Sequence, residues 1–105
     1  MSQIALIIKQ RTIDNSTLLA VKNFSGQSLS QVNERIRSGS PVFQALLFGN
    51  DHDEIADVLL KIVNVLQIGK VKFDLYELEE NEVLDKGKHQ HYILSVETLK
   101  NILAR

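Results

Sequence analysis

Residues 28–48 have the sequence SLSQVNERIRSGSPVFQALLF, and this stretch decides the fold class because it contains a helix, both of its boundaries and the next strand. Ser28 and Gln31 have the spacing of a capping box, in which each side chain bonds the other residue's backbone N–H. Gly39 is typical of the residue just after a helix, and Pro41 cannot continue one. The stretch therefore predicts a helix that begins after Ser28 and ends at Gly39.

Apolar residues then show what this helix and the following strand bury. Leu29, Val32 and Ile36 recur with the helical period, so we expect one face of the helix to contact a core. Val42–Phe48 is apolar except for Gln44, which is typical of a strand covered on both faces. A helix joined to a strand by a short connection favours a mixed α and β fold.

The segment on the N-terminal side, Thr17–Phe24, leaves two alternatives open. As a strand it would pair back on the apolar run Ile4–Ile8, which predicts a buried strand. As a helix it would be capped by Asn15 or Ser16 and would bury Leu18 and Val21, with Leu19 a further candidate for the core.

On the C-terminal side, Asp51 and Glu54 cap a second strong helix that ends at Gly69. Its apolar stripe comprises Ile55, Val58, Leu59, Ile62, Val65 and Leu66. Val71–Tyr76 alternates apolar and polar residues and predicts a half-buried strand, with Tyr76 on the polar face. Tyr92–Leu94 predicts a short strand, and Ser95 caps a last helix. That helix places Val96, Leu99, Ile102 and Leu103 on one face.

Together these elements predict an α/β (α+β) fold, a single small two-layer sandwich. Its sheet has three to five strands, and the helices pack mainly on one face. With no internal repeat and no long linker, residues 1–105 are expected to form a single domain. Residues 1–76 would be the core, and residues 77–105 would add an acidic loop, a short strand and a C-terminal helix.

The composition excludes several classes of protein. The chain is 44% hydrophobic, which is too apolar for a disordered protein, and no apolar run approaches the length of a membrane span. There is no Cys, so disulfides and thiolate metal sites are excluded; with no export signal at the N-terminus, we expect a cytoplasmic protein. The formal net charge of −1 provides no general attraction to nucleic acid, so direct binding to it is not expected.

From Ile4 to Leu75 the chain resembles the C-terminal domain of the large-subunit ribosomal stalk protein, whose fold is shared with the Clp protease adaptor for N-degrons. The matching stretches are Asn23–Val32, Pro41–Phe43, Glu54–Lys61 and Gly69–Phe73. The resemblance implies that Thr17–Phe24 is a helix and that the fold presents helices to protein partners. The stalk domain recruits translation factors through lysines on the helix that corresponds to the one after Gly26. Ser30 and Asn33 occupy those positions here, so that basic surface is missing.

The least ordinary feature is the segment Asp74–Asp85, which holds six of the 13 acidic residues and no Lys or Arg. Such a run is usually a solvated strand end and loop. It can also be a docking surface, because clustered carboxylates speed association with a basic partner. Leu78 and Val83–Leu84 would supply a small apolar centre beside the charge. The contact residues predicted are Glu77, Glu79, Glu80, Glu82 and Asp85, with Asp53 and Asp57 extending the surface.

No catalytic motif is present, so we expect a non-enzymatic protein-binding module without a cofactor. The most concrete prediction is a cytosolic bacterial immunity protein that neutralises a cognate toxin, for example one of the basic nuclease type, with its acidic surface. The alternative is an adaptor or ribosome-associated interaction domain that binds through the Ser28–Ser38 helix. A third hypothesis is a metal-dependent enzyme or sensor that uses His89 and His91, but zinc needs a third ligand from distant sequence and no metal site is predicted. A homodimer could form through Tyr92–Leu94 as an edge strand.

Overall fold

The computed structural model describes residues 2–46, 52–79 and 93–104. The elements in chain order are β1 (Ser2–Ile8), α1 (Asn15–Ser25), α2 (Leu29–Ser38), β2 (Phe43–Leu46), α3 (His52–Ile68), β3 (Phe73–Glu79), β4 (Ile93–Leu94) and α4 (Val96–Leu103). The four strands form one antiparallel sheet in the order β2-β1-β3-β4. The fold is therefore the small α+β type that the sequence predicts.

The first strand, β1, occupies the centre of the sheet because it is apolar on both faces. Ile4 pairs with Ala45 of β2 and with Glu77 of β3, and Leu6 pairs with Phe43 and Leu75. From Ile4 to Ile8, no side chain of β1 is more than 2% exposed. The buried strand predicted for Ile4–Ile8 is confirmed.

All four helices pack on one face of this sheet. Side chains from each helix join Ile4, Leu6 and Ile8 in a single core. The helical contributors are Leu18 and Val21 of α1, Val32 and Ile36 of α2, Leu59, Ile62, Val63 and Leu66 of α3, and Leu99 and Leu103 of α4. Placement of the helices on one face is as predicted; Val63 was outside the predicted stripe of α3.

Thr17–Phe24 lies within helix α1, as the family resemblance implies. The N-cap is Asp14 rather than Asn15 or Ser16, because the Asp14 carbonyl accepts the first helical bond, from Leu18 N at 3.0 Å. The hydroxyls of Ser16 and Thr17 donate to the Asp14 carboxylate instead. Leu18 and Val21 are buried as predicted, whereas Leu19 is 47% exposed.

The capping box of α2 is confirmed. Ser28 Oγ accepts from Gln31 N at 3.2 Å, and Gln31 Oε1 accepts from Ser28 N at 3.1 Å. Gly39 ends the helix with φ +72°, a left-handed conformation that glycine adopts without steric cost. Leu29, predicted on the buried face, is 38% exposed because it lies in the first turn, before the helix meets the sheet.

Two predictions about strand burial are wrong. The strand within Val42–Phe48 is Phe43–Leu46, and Gln44 is exposed, so it is not covered on both faces; residues 47 and 48 lie outside the described ranges. Conversely, β3 is not half-buried, because Tyr76 is 4% exposed. Tyr76 packs with Ala5, Ile7 and Leu78 in a second cluster on the face away from the helices.

The C-terminal elements follow the prediction where they are described. Ser95 Oγ accepts from Thr98 N at 3.1 Å and caps α4, whose Leu99 and Leu103 are buried. Ile93 and Leu94 form the last described strand in the sheet order; Tyr92 lies outside the described ranges. A homodimer through this edge stays a prediction.

Candidate partner-binding surface

The register of the sheet brings three strand ends together. At the start of β1, Gln3 pairs with Leu46 at the end of β2 and with Leu78 near the end of β3, and Ser2 pairs with Glu79. The chain leaves β2 at this end and soon begins α3 at His52. The acidic residues that end β3 and those that begin α3 therefore belong to the same end of the fold.

The predicted contact residues divide into those that the structure places and those outside its described ranges. Glu77 is half-buried on the helix-covered face, opposite Ile4, and Glu79 is exposed. Asp53 and Asp57 are exposed on α3. Glu80, Glu82 and Asp85 lie outside the described residues. We call Asp53, Glu54, Asp57, Glu77 and Glu79 the acidic end.

One carboxylate of the acidic end has a cationic partner on its own helix. Asp57 Oδ2 lies 2.8 Å from Lys61 Nζ one turn later, with 61% and 51% of the two side chains exposed. An ion pair this exposed contributes little to stability, because water and salt screen it. Asp57 can therefore exchange Lys61 for a cation of a partner at small cost.

Of the apolar centre predicted beside the charge, the structure describes only Leu78, and that side chain is buried. Leu78 is 1% exposed and belongs to the cluster on the face away from the described helices, so it cannot contact a partner. Val83–Leu84 lies outside the described residues. The alternation of β3 turns Leu78 to the opposite face from Glu77 and Glu79.

An apolar opening of about 240 Å³ lies instead between the end of α1, β2 and the first turns of α3. We define the apolar opening by its hydrophobic lining: Phe24, Phe43, Ala45, Ile55 and Val58. Glu54 of the acidic end borders it, and Lys61 Nζ lies 5.9 Å from the centre of the Phe24 ring. Phe24 is 36% exposed, a large apolar surface at the rim.

The sheet connects this opening to the rest of the acidic end. Ala45, Ile4 and Glu77 form one row across three strands on the helix-covered face. Two strand spacings separate Ala45 from Glu77, about 10 Å between backbones. The apolar opening and the carboxylates at the end of β3 therefore lie close enough for one partner to contact both.

Sequence reasoning missed the opening because its two aromatic residues come from distant segments. Phe24 ends a segment whose conformation was ambiguous, and Phe43 lies in a run predicted to be covered on both faces. One signal was available: Phe24 directly precedes the Ser25–Gly26 break, and a large apolar residue at a helix end often lies at the rim of a core.

The described residues contain no group of three or more His, Asp or Glu side chains that could hold a metal ion. His89 and His91, the ligands of the third hypothesis, lie outside those residues. Within the same ranges, no helix has the length and apolar character needed to cross a membrane.

Comparison with protein families, curated proteins and solved structures found no match to this chain.

Proposed function

We propose that this protein is a non-enzymatic protein-binding module that binds a basic partner through its acidic end. The observation that carries the proposal is the apolar opening bordered by Glu54, with Glu77 about two strands away. Protein interfaces commonly combine a small apolar centre with a polar rim. A partner with one apolar side chain flanked by Lys or Arg fits both parts of this surface.

The two parts of the surface have different roles in binding. The apolar opening accepts an anchoring side chain, and full desolvation of such an anchor provides most of the affinity. The carboxylates raise the association rate and reject acidic competitors. Because most of these carboxylates are exposed, we expect them to contribute to affinity mainly by raising the association rate, so the affinity should fall as salt is added.

In its most concrete form, the proposal is a cytoplasmic immunity protein of a bacterium that neutralises a cognate toxin. Toxins that cleave nucleic acids have basic active sites, because the phosphate backbone of their substrate is negative. A surface with several carboxylates around an apolar anchor site would cover such a site in place of the substrate.

Growth rescue tests this form of the proposal. Basic proteins encoded beside this chain are produced alone and together with it; we expect one to arrest growth alone and to be harmless with the chain. Phe24→Asp should abolish the rescue, because it places a carboxylate in the apolar opening. The matched control Leu19→Asp, on another exposed apolar residue of α1, should rescue growth fully. If Phe24→Asp rescues as well as the wild type at equal abundance, this surface is not the binding site.

A second candidate function is an adaptor or ribosome-associated module that binds through α2. It is favoured by Leu29, an apolar side chain 38% exposed in the first turn of α2, next to exposed Ser30. Leu29→Asp distinguishes the two candidates. It should eliminate binding to an adaptor partner and leave binding through the acidic end unchanged.

A further inference from the structure

Three cationic residues line one cavity at the end of the sheet opposite the acidic end. Lys9, Arg11 and Arg37 share a cavity of about 320 Å³ with the last turn of α2. Nothing in the proposed function uses this cavity. Its charge is opposite to that of the acidic end, so it would bind a different kind of molecule.

The cavity exists because β2 is shorter than β1. The pairing of β1 with β2 ends at Leu6 and Phe43, whereas its pairing with β3 continues to Ile8 and Phe73. Beyond Leu6, the β2 side of β1 is bordered by the end of α2. Arg37 comes from that helix, and Lys9 and Arg11 come from the chain just after β1.

The backbone of β1 adds a hydrogen-bond donor to the cavity. Lys9 N donates to Lys72 O at 2.8 Å, on the β3 side of the strand. Because successive N–H groups of a strand point to opposite sides, the N–H of Ile8 points to the β2 side, towards the cavity that Ile8 lines. Within residues 2–46, 52–79 and 93–104, no strand pairs with Ile8 on that side.

The C-terminus of a helix carries partial negative charge and repels anions. At the end of α2 this repulsion is reduced. Two of its last four carbonyls are already occupied: Ile36 O accepts from Gly39 N at 3.3 Å, and Arg35 O accepts from Ser40 N at 2.9 Å. Ser38 Oγ also donates to Arg35 O, at 3.3 Å. The negative end of the α2 dipole is therefore partly neutralised, and the charged residues that line the cavity, Lys9, Arg11 and Arg37, are all cationic.

Few carboxylates of the described residues neutralise the cations of the cavity. Lys9 Nζ lies 3.6 Å from Asp74 Oδ2 of β3, a long ion pair in which 54% of the Lys9 side chain but only 22% of the Asp74 side chain is exposed. For Arg11 and Arg37, no carboxylate lies within ion-pair distance among the residues that the structure describes. Like charges that share one cavity repel each other, and a bound anion would relieve that repulsion.

We propose that this cavity is a binding site for the phosphate group of a small phosphorylated molecule. A guanidinium binds two phosphate oxygens at once, and the Ile8 N–H provides a further donor. The volume is at the lower end of the range for small-molecule sites, which suits a phosphate with a small organic group.

Amide chemical-shift titration by NMR tests the proposal on the full chain. The probes are inorganic phosphate, adenosine 5′-monophosphate, succinate and a ten-nucleotide thymidine oligomer. We expect both phosphates to bind saturably and to shift the amides of Ile8, Arg11, Arg37 and Ser38, with succinate at least ten-fold weaker. Tighter binding of the nucleotide than of inorganic phosphate would identify an organic phosphate as the ligand; equal binding would identify the free anion.

Charge-removing variants decide whether the cavity is responsible. Arg37→Gln and Arg11→Gln should each weaken phosphate binding at least ten-fold, whereas Lys100→Gln on α4 should leave it unchanged. Any of three results would overturn the proposal: no saturation, equal loss in Lys100→Gln, or succinate binding as tightly as phosphate. The proposal would also be overturned if the thymidine oligomer bound far more tightly than either phosphate and lost as much affinity in Lys72→Gln as in Arg11→Gln or Arg37→Gln. That result would indicate a general polyanion surface.

Discussion

At the residue scale, the two residues that follow α3, Gly69 and Lys70, have separate roles. The sequence predicts only that Gly69 ends the helix. Gly69 was expected to end the helix, but the left-handed residue is Lys70, with φ +55°. Lys70 N donates to Gln67 O and Val71 N to Leu66 O, which closes the helix. Gly69 is needed for a different reason: a Cβ at this position would lie 2.9 Å from Thr17 Oγ1.

A substitution at Gly69 should destabilise the protein, whereas replacing Lys70 by glycine should not. Gly69→Ala should lower the free energy of unfolding by about 1–3 kcal/mol, because Thr17 Oγ1 bonds Asp14 and cannot easily retreat. Lys70→Gly should be neutral or should raise it by up to about 1 kcal/mol, because a β-carbon is disfavoured at positive φ. Urea denaturation of both variants measures these changes.

A double variant separates the close contact from other effects of Gly69→Ala. When Thr17→Ala is already present, adding Gly69→Ala should cost less than it does in the wild type, since the hydroxyl has gone. If the two losses simply add, the contact between these residues is not the cause.

Asp14 gives the molecule a pH-dependent contribution to stability. Hydrogen bonds from the hydroxyls of Ser16 and then Thr17 hold the pKa of Asp14 below its ordinary value of 3.8. The unfolded chain therefore binds a proton more readily, so the contribution is present above pH 3.8 and is lost as the pH falls through the lower folded pKa. In Asp14→Asn, the melting temperature should fall less steeply from pH 4 to pH 2. A slope equal to that of the wild type would contradict this.

At the element scale, α2 depends on local signals that can be recognised in the sequence. Ser28→Ala should cost about 1 kcal/mol of stability, since it leaves the N–H of Gln31 without its cap. Ser28→Asp should retain most of the stability, because a carboxylate accepts the same bond. Thermal denaturation of the two variants checks this. Equal losses in both would show that Ser28 matters for packing and not as a cap.

The strands show why a local sequence pattern predicts where a strand lies better than it predicts which side chains are buried. The apolar run Ile4–Ile8 predicts a strand whatever its position in the sheet. Its burial follows from its position between β2 and β3. In β3, the alternation gave the right strand but the wrong exposure for Tyr76. Burial raises the pKa of the Tyr76 phenol, with a smaller contribution from Asp74. Its neighbours Ala5 and Ile7 come from β1, about 70 residues earlier in the chain.

At the scale of the whole molecule, charge is separated between the two ends of the sheet. The acidic end lies where β1 begins, and Lys9, Arg11 and Arg37 lie where β1 ends. The net charge of −1 conceals this separation. Composition therefore could not predict it, and the prediction of an acidic surface came only from the run of carboxylates in Asp74–Asp85. The apolar opening combines residues from three segments and the basic cavity residues from two, and only the fold brings them together.

The central claim is that the acidic end binds a basic protein, and quantitative affinity capture from the native cells at low salt tests it most directly. Three versions of the full chain serve as bait: the wild type, the double variant Glu54→Lys/Glu79→Lys, and the double variant Glu34→Lys/Glu97→Lys. The last pair makes the same charge change on α2 and α4, away from the acidic end.

We expect one basic protein, stoichiometric with the bait, on the wild type and on the α2/α4 control. It should be depleted at least ten-fold on Glu54→Lys/Glu79→Lys, and purified it should show the same loss of affinity. Equal recovery on all three baits, or an equal loss on the control, would contradict the account.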